Sequence, residues 1–92
     1  MLPKNRIATH PGRILEDEFL EPLRLKQVKL ARALKVSQNR LNEIVRGKRG
    51  ITADTALRLA AYFKNSPEFW MNLQTAHDLS KALQERRRRG AA

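Results

Sequence analysis

The run Ser37, Gln38, Asn39, Arg40, followed by Asn42, Glu43 and Arg46, places amides and guanidinium groups at the start of a helical pattern. These are the side chains that pair with base edges: Asn and Gln with adenine N6 and N7, Arg with guanine O6 and N7. A merely solvated face would more usually carry Glu/Lys pairs. Glu43 is the exception among them, because an acid there must accept from cytosine N4 or be repelled by phosphate. Gln27 opens the preceding helical pattern, where its amide and the helix N–H groups suit a phosphate. Lys48 and Arg49, in the loop that follows, read as clamps on a nucleic-acid backbone.

Other chemistries lack such a constellation. Ser37, Ser66 and Ser80 have no base or oxyanion arrangement beside them, so nucleophilic catalysis is not expected. His10 and His77 are far apart in sequence and neither has a third ligand at metal spacing, so neither a zinc site nor any other cofactor is expected. The chain has no cysteine, which excludes disulfides and thiolate sites.

Charge points the same way. Ninety-two residues make one small domain, and its net charge is +10. Without Arg86, Arg87, Arg88 and Arg89, fifteen basic residues still face nine acids, leaving +6. That balance implies a polyanion as partner, nucleic acid before an acidic membrane surface or protein. No apolar run approaches the ~20 residues that span a bilayer, and the N-terminus has no signal-peptide core. A cytoplasmic protein without a membrane or small-molecule partner is expected.

The elements that must position these groups are all helical. Residues 1–9 have no period and read as a flexible arm. Pro11 suits the first turn of a helix, with Ile14, Leu15, Phe19 and Leu23 on one side and Pro22 near its end. A second helix, from about Lys26 to Leu34, turns Val28, Leu30, Ala31 and Leu34 inward. Ser37 caps a third, with Leu41, Ile44 and Val45 inward and Gly47 as its terminator. Thr52 caps a fourth, with Ala56, Leu57, Leu59, Ala60 and Phe63 as its stripe. Ser66 and Pro67 start the fifth and longest, which fades into a basic, disordered tail over residues 85–92. Five helices in so short a chain, with residues 10–84 as the folded domain, leave little room for a substrate cavity, so an enzyme is not expected.

The second and third helices satisfy the demands of a helix-turn-helix. The reading helix must enter a major groove about 12 Å wide N-terminus first, so the two helices cross steeply. Ala31 is small enough for that crossing, Val36 fills the turn, and Leu41 and Ile44 bury the back of the reader. Lys35 sits where such a corner often needs a residue at φ > 0, a position glycine usually holds.

These residues carry a resemblance. "QVKLARALKVSQNRLNEIVRGKRGIT" resembles the helix-turn-helix of the lambda-repressor/Cro (Xre) superfamily, in which glycine is usual at Lys35. "HPGRILEDEFLEPLRL", "ITADTALRLAAYF" and the more restrictive "SPEFWMNLQTAHDL" are similar to HigA-type antitoxins, the group also called virulence-associated protein I. The match spans roughly His10 to Leu79. It implies a five-helix, lambda-repressor-like, all-α fold and a dimeric repressor of its own operon, bound to palindromic operator DNA. It also implies neutralisation of a HigB-type toxin, an mRNA endonuclease. The superfamily's DNA contacts fall on Gln27, Gln38, Asn39 and Glu43.

Two further surfaces are expected to act. Glu16, Asp17, Glu18 and Glu21 crowd four acids into the first helix, a favourable place for them near its N-terminus and a candidate contact for a basic toxin. Phe69, Trp70, Leu73 and His77 put apolar groups on more than one side of the last helix, and a dimer interface is expected there. The competing readings are a solitary Xre-type regulator without a toxin, and an interaction module whose basic face binds RNA or an acidic protein.

Overall fold

Three of the helices start where their caps predict. Ser37, Thr52 and Ser66 are extended, and each side-chain oxygen accepts the N–H three residues on, from Arg40, Thr55 and Phe69. The computed structural model describes residues 6–90, which form five helices and no strand. We number them α1 (residues 11–23), α2 (Gln27–Leu34), α3 (Gln38–Val45), α4 (Ala53–Phe63) and α5 (Pro67–Arg88). None of the five is long and apolar enough to cross a membrane.

α1 is not a uniform α-helix. Pro11–Ile14 leads into a π-helical stretch, Leu15–Leu20, and then into Glu21–Leu23. Within it the Glu21 N–H donates to the Glu16 carbonyl, five residues back. The wider turn fits Pro22, which has no N–H to give and whose ring crowds the preceding turn of an ordinary α-helix. It also changes the face that turns inward. Leu15 and Leu20, five apart, are both buried, whereas Leu23 is 62% exposed rather than continuing the apolar side.

The core joins Leu15 and Leu20 to Leu30, Ala31 and Leu34 of α2, Leu41 and Ile44 of α3, and Ala56, Leu59 and Ala60 of α4. Val28 and Leu57, expected on the inner faces of α2 and α4, are exposed, because their neighbours Leu30–Ala31 and Ala56–Leu59 already span the arc facing the core. Phe19, Phe63 and Trp70 close one end, with ring centroids 4.7 Å apart for Phe19–Phe63 and 5.1 Å for Phe19–Trp70.

α1, α2 and α4 end on basic residues in the left-handed region: Arg24 (φ 51), Lys35 (φ 59) and Lys64 (φ 59). After α2, Lys35 N–H donates to the Arg32 carbonyl (3.2 Å) and Val36 N–H to that of Ala31 (3.1 Å), the paired bonds of a Schellman end. A cation suits the negative end of a helix, but an L side chain at that φ costs about 1 kcal/mol or more. Lys35→Gly relieves this strain while adding freedom to the unfolded chain. The net expectation is a gain of about 0.5 kcal/mol, seen as a melting-temperature rise of ~2–4 °C; an unchanged or lower midpoint would contradict it.

α5 runs further than the sequence suggests. The tail expected to be disordered over residues 85–92 is helical through Arg88, with Arg89 at the C-cap. Leu, Gln, Glu and Arg all favour helix, and three arginines in the last turn complement the helix dipole. The arm expected to be flexible over residues 1–9 is fastened at its end: Ala8 N–H donates to Ser80 Oγ (2.8 Å), and its carbonyl lies 2.9 Å from His77 Nδ1. Residues 1–5 and 91–92 lie outside the described residues.

Candidate nucleic-acid interface

The corner formed by α2 and α3 sets the candidate site. Ala31 is buried at the crossing, Val36 packs against the core from the turn, and Leu41 and Ile44 are 1% exposed behind α3. Gly47, at φ 76, ends α3, and its N–H donates to the Ile44 carbonyl at 3.0 Å. The face of α3 opposite Leu41 and Ile44 is thereby left to solvent.

Four of the expected contact residues meet there. Gln27, from the first position of α2, and Gln38, Asn39 and Asn42 of α3 line an open recess of about 440 Å³. Asn42 Nδ2 donates to Gln27 Oε1 at 3.2 Å, so the two helices are joined by amides at the mouth of this recess. No side chain caps the start of α2, which leaves its first N–H groups available beside Gln27. The Ser37 hydroxyl accepts from Arg40 N–H at 3.0 Å, so it holds the start of α3 in shape. Gln38, Asn39, Arg40, Arg46, Lys48 and Arg49 are exposed. Glu43 is not grouped with the amides. Its carboxylate holds Arg49, with Nε at 2.9 Å and Nη2 at 2.8 Å from Oε1.

Residues distant in sequence hold this face in place. Gln74, 8% exposed, accepts the Ile51 N–H through Oε1 (2.6 Å) and donates through Nε2 to Asp78 (2.9 Å), tying the loop after α3 to α5. Arg58 Nη1 donates to the Leu34 carbonyl at the end of α2 (2.7 Å), while its Nε pairs with Asp54. His10 caps α1 by accepting the Gly12 N–H at Nδ1 (2.9 Å) and meets the His77 ring edge-on with centroids 4.8 Å apart. Burial first, then the charge of His77, holds His10 below the usual histidine range, with Asp78 opposing and Lys81 adding to the effect. A neutral His10 keeps Nδ1 free to accept. Sequence reasoning missed Gln74 and Arg58 in these roles, since each ties backbone more than twenty positions away and has no periodic signature; it also missed the His10 cap, although that bond is local.

The surface expected for dimerisation is corrected. Trp70 is fully buried and donates from Nε1 to Asn65 Oδ1 (2.9 Å), Leu73 packs on the core, and His77 is engaged by Ala8 and His10. The side of α5 that faces the core takes them. Of the four only Phe69 is markedly exposed, at 38%. Of the acids of α1, Asp17, Glu18 and Glu21 are exposed and Glu16 is half-buried; Arg13 pairs with Asp17 at 3.0 Å.

Two packed helices joined by a tight turn, with amides at the tip of the second and cations in the loop beyond it, define the helix-turn-helix class of DNA-binding regulators. The Helix-turn-helix family model matches residues 18–70. Virulence-associated protein I of Dichelobacter nodosus is 56% identical over 79 residues, covering 86% of this chain and 73% of that protein. Antitoxin HigA-1 of Vibrio cholerae is 43% identical over 68 residues, covering 74% and 64%. A Pseudomonas aeruginosa antitoxin HigA, solved with the higBA promoter, superposes with a TM-score of 0.85 at 49% identity, covering 89% of each chain. The chain belongs to the Xre-type helix-turn-helix family, in the group of HigA antitoxins and virulence-associated protein I.

Proposed function

We propose that this chain binds operator DNA as a dimer, represses its own operon and neutralises a HigB-type mRNA endonuclease. The observation that carries the reading is the likeness, at 49% identity, to a HigA solved with its promoter. The amide-lined recess at the tip of α3 supplies the matching chemistry. Gln38 and Asn39 meet base edges, Gln27 with the start of α2 meets a phosphate, and Arg40, Arg46, Lys48 and Arg49 add base or backbone contacts. The acidic surface of Glu16, Asp17, Glu18 and Glu21 is the proposed contact for a basic toxin.

The dimer contact is proposed along a line of α5 that keeps Phe69 but leaves Trp70, Leu73 and His77 to the core side. Phe69, Asn72, Ala76, Leu79 and Leu83 recur at alternating steps of three and four, the spacing of a helix–helix seam. Leu79 and Leu83 are 53% and 38% exposed. Two copies joined there present two reading helices to half-sites about 34 Å apart.

Titration of the DNA upstream of the chain's own reading frame against scrambled duplex, at several salt concentrations, tests the operator reading. Gln38→Ala is expected to relax discrimination at one base pair, by about 1–3 kcal/mol. Lys48→Ala is expected to weaken all duplexes alike and to lower the slope of log K against log salt by about 0.9. Equal binding of upstream and scrambled DNA by the wild-type protein would defeat the operator reading. Co-purification with the product of a small neighbouring gene separates an antitoxin from a solitary regulator.

A further inference from the structure

Glu43 lies on the reading helix, yet its side chain and its backbone carbonyl both turn to the loop that follows. Its side-chain Oε1 receives both Nε and Nη2 of Arg49, at 2.9 and 2.8 Å. Its backbone carbonyl accepts the Lys48 N–H at 2.8 Å and the Arg49 N–H at 3.2 Å. Gly47, at φ 76, turns the chain so that these groups come back over the end of α3. One residue thus holds the two loop cations by main chain and one of them by side chain as well. The amide recess, by contrast, is lined by Gln27, Gln38, Asn39 and Asn42 without Glu43.

We propose that Glu43 is a positioning residue for the basic loop, orienting Arg49 toward the DNA backbone, rather than a reader of cytosine. The proposal rests on the operator-binding reading. An acid beside a polyanion is otherwise a cost; here the fork to Arg49 offsets it by fixing a long side chain that would lose rotamer freedom on binding. Arg49 retains N–H donors beyond the two used by Glu43, since a guanidinium carries five. It can therefore meet a phosphate while still held.

A double-mutant cycle on the full chain tests this, read as binding to the upstream duplex, to single-base-pair variants of it and to scrambled duplex. Glu43→Ala is expected to lower affinity for all of these by one common factor, about three- to tenfold. The base-pair preference profile should stay as in the wild type. With Arg49 already replaced by alanine, Glu43→Ala should leave binding unchanged or strengthen it, because only the repulsion is removed. Glu43→Gln, which keeps an oxygen for the fork, should fall between wild type and Glu43→Ala. Circular dichroism melting should show all variants folded, as the Glu43 side chain is 35% exposed. Loss of discrimination at a single base pair, or additive effects of the two alanine substitutions, would overturn the proposal. A wild-type protein that fails to distinguish upstream from scrambled duplex would instead overturn the operator reading and this proposal with it.

Discussion

Gly12→Ala is expected to destabilise the domain by on the order of 3 kcal/mol, lowering its melting temperature by ~12–24 °C. Gly12 is buried at the second position of α1, where the N-terminus of that helix meets the end of α3. A Cβ there would overlap the Ile44 carbonyl oxygen and come within 3.1 Å of His10 Nδ1. The main obstacle is backbone, so no rotamer change removes it; α1 must lift from α3. Lifting it disturbs the His10 cap, and it disturbs the seating of Leu15, which is fully buried. A chain of this size has only about 5–14 kcal/mol of stability to lose. The same movement releases the C-terminal end of the reading helix, so DNA affinity should drop even well below the melting point. Calorimetry, with a DNA titration at low temperature, measures both effects. A variant within 1 kcal/mol of wild type would show that α1 does not depend on this approach.

The contrast between Gly12 and Lys35 shows what a one-dimensional reading captures. Lys35 was legible because helix ends are local: an abrupt stop before Ser37 often calls for a left-handed residue, and φ is 59. The same locality made the caps at Ser37, Thr52 and Ser66 readable, along with Gly47 and the amides of α3. Gly12 carries no such mark, since the carbonyl it must avoid lies 32 residues away. The π-helical turn was invisible for a related reason. The spacing of Ile14, Leu15 and Phe19 suits an ordinary helix that Leu23 would continue, and one wider turn carries Leu23 away from the core. Trp70 misled through its type: large aromatics suit interfaces and cores alike, and only the placement of Phe19, Phe63 and Asn65 around it decides.

The reading face is also held by residues outside the span that defines the family. Residues 18–70 match the helix-turn-helix model, whereas Gly12 sets the end of α3, Gln74 fixes the loop at Ile51, and His77 and Ser80 fasten the segment leading to α1. α5 therefore does two things with two faces. Its inner face, bearing Trp70, Gln74 and Ser80, braces the motif, and its outer line is the proposed dimer contact.

That division leads to the second large effect. Leu79→Asp combined with Leu83→Asp is expected to give a monomer that binds a single half-site and loses about 10²–10⁴ in affinity for the full operator. Both side chains are exposed in the protomer, so the inner face of α5 and the motif it braces should survive the change. A carboxylate at each position places charge in a seam that would otherwise be desolvated, which is costly. Once the copies separate, the second half-site is no longer met at the effective concentration that linkage supplies, commonly millimolar, and the avidity it contributes is lost. Affinity for an isolated half-site should stay close to wild type, which separates loss of the dimer from damage to the reading helix. Sedimentation equilibrium gives the first answer, and titration of full and half operators the second. A double variant that stays dimeric and binds the full operator as tightly as wild type would place the dimer contact elsewhere. One that loses half-site binding too would show that the outer line of α5 supports the fold of the protomer itself.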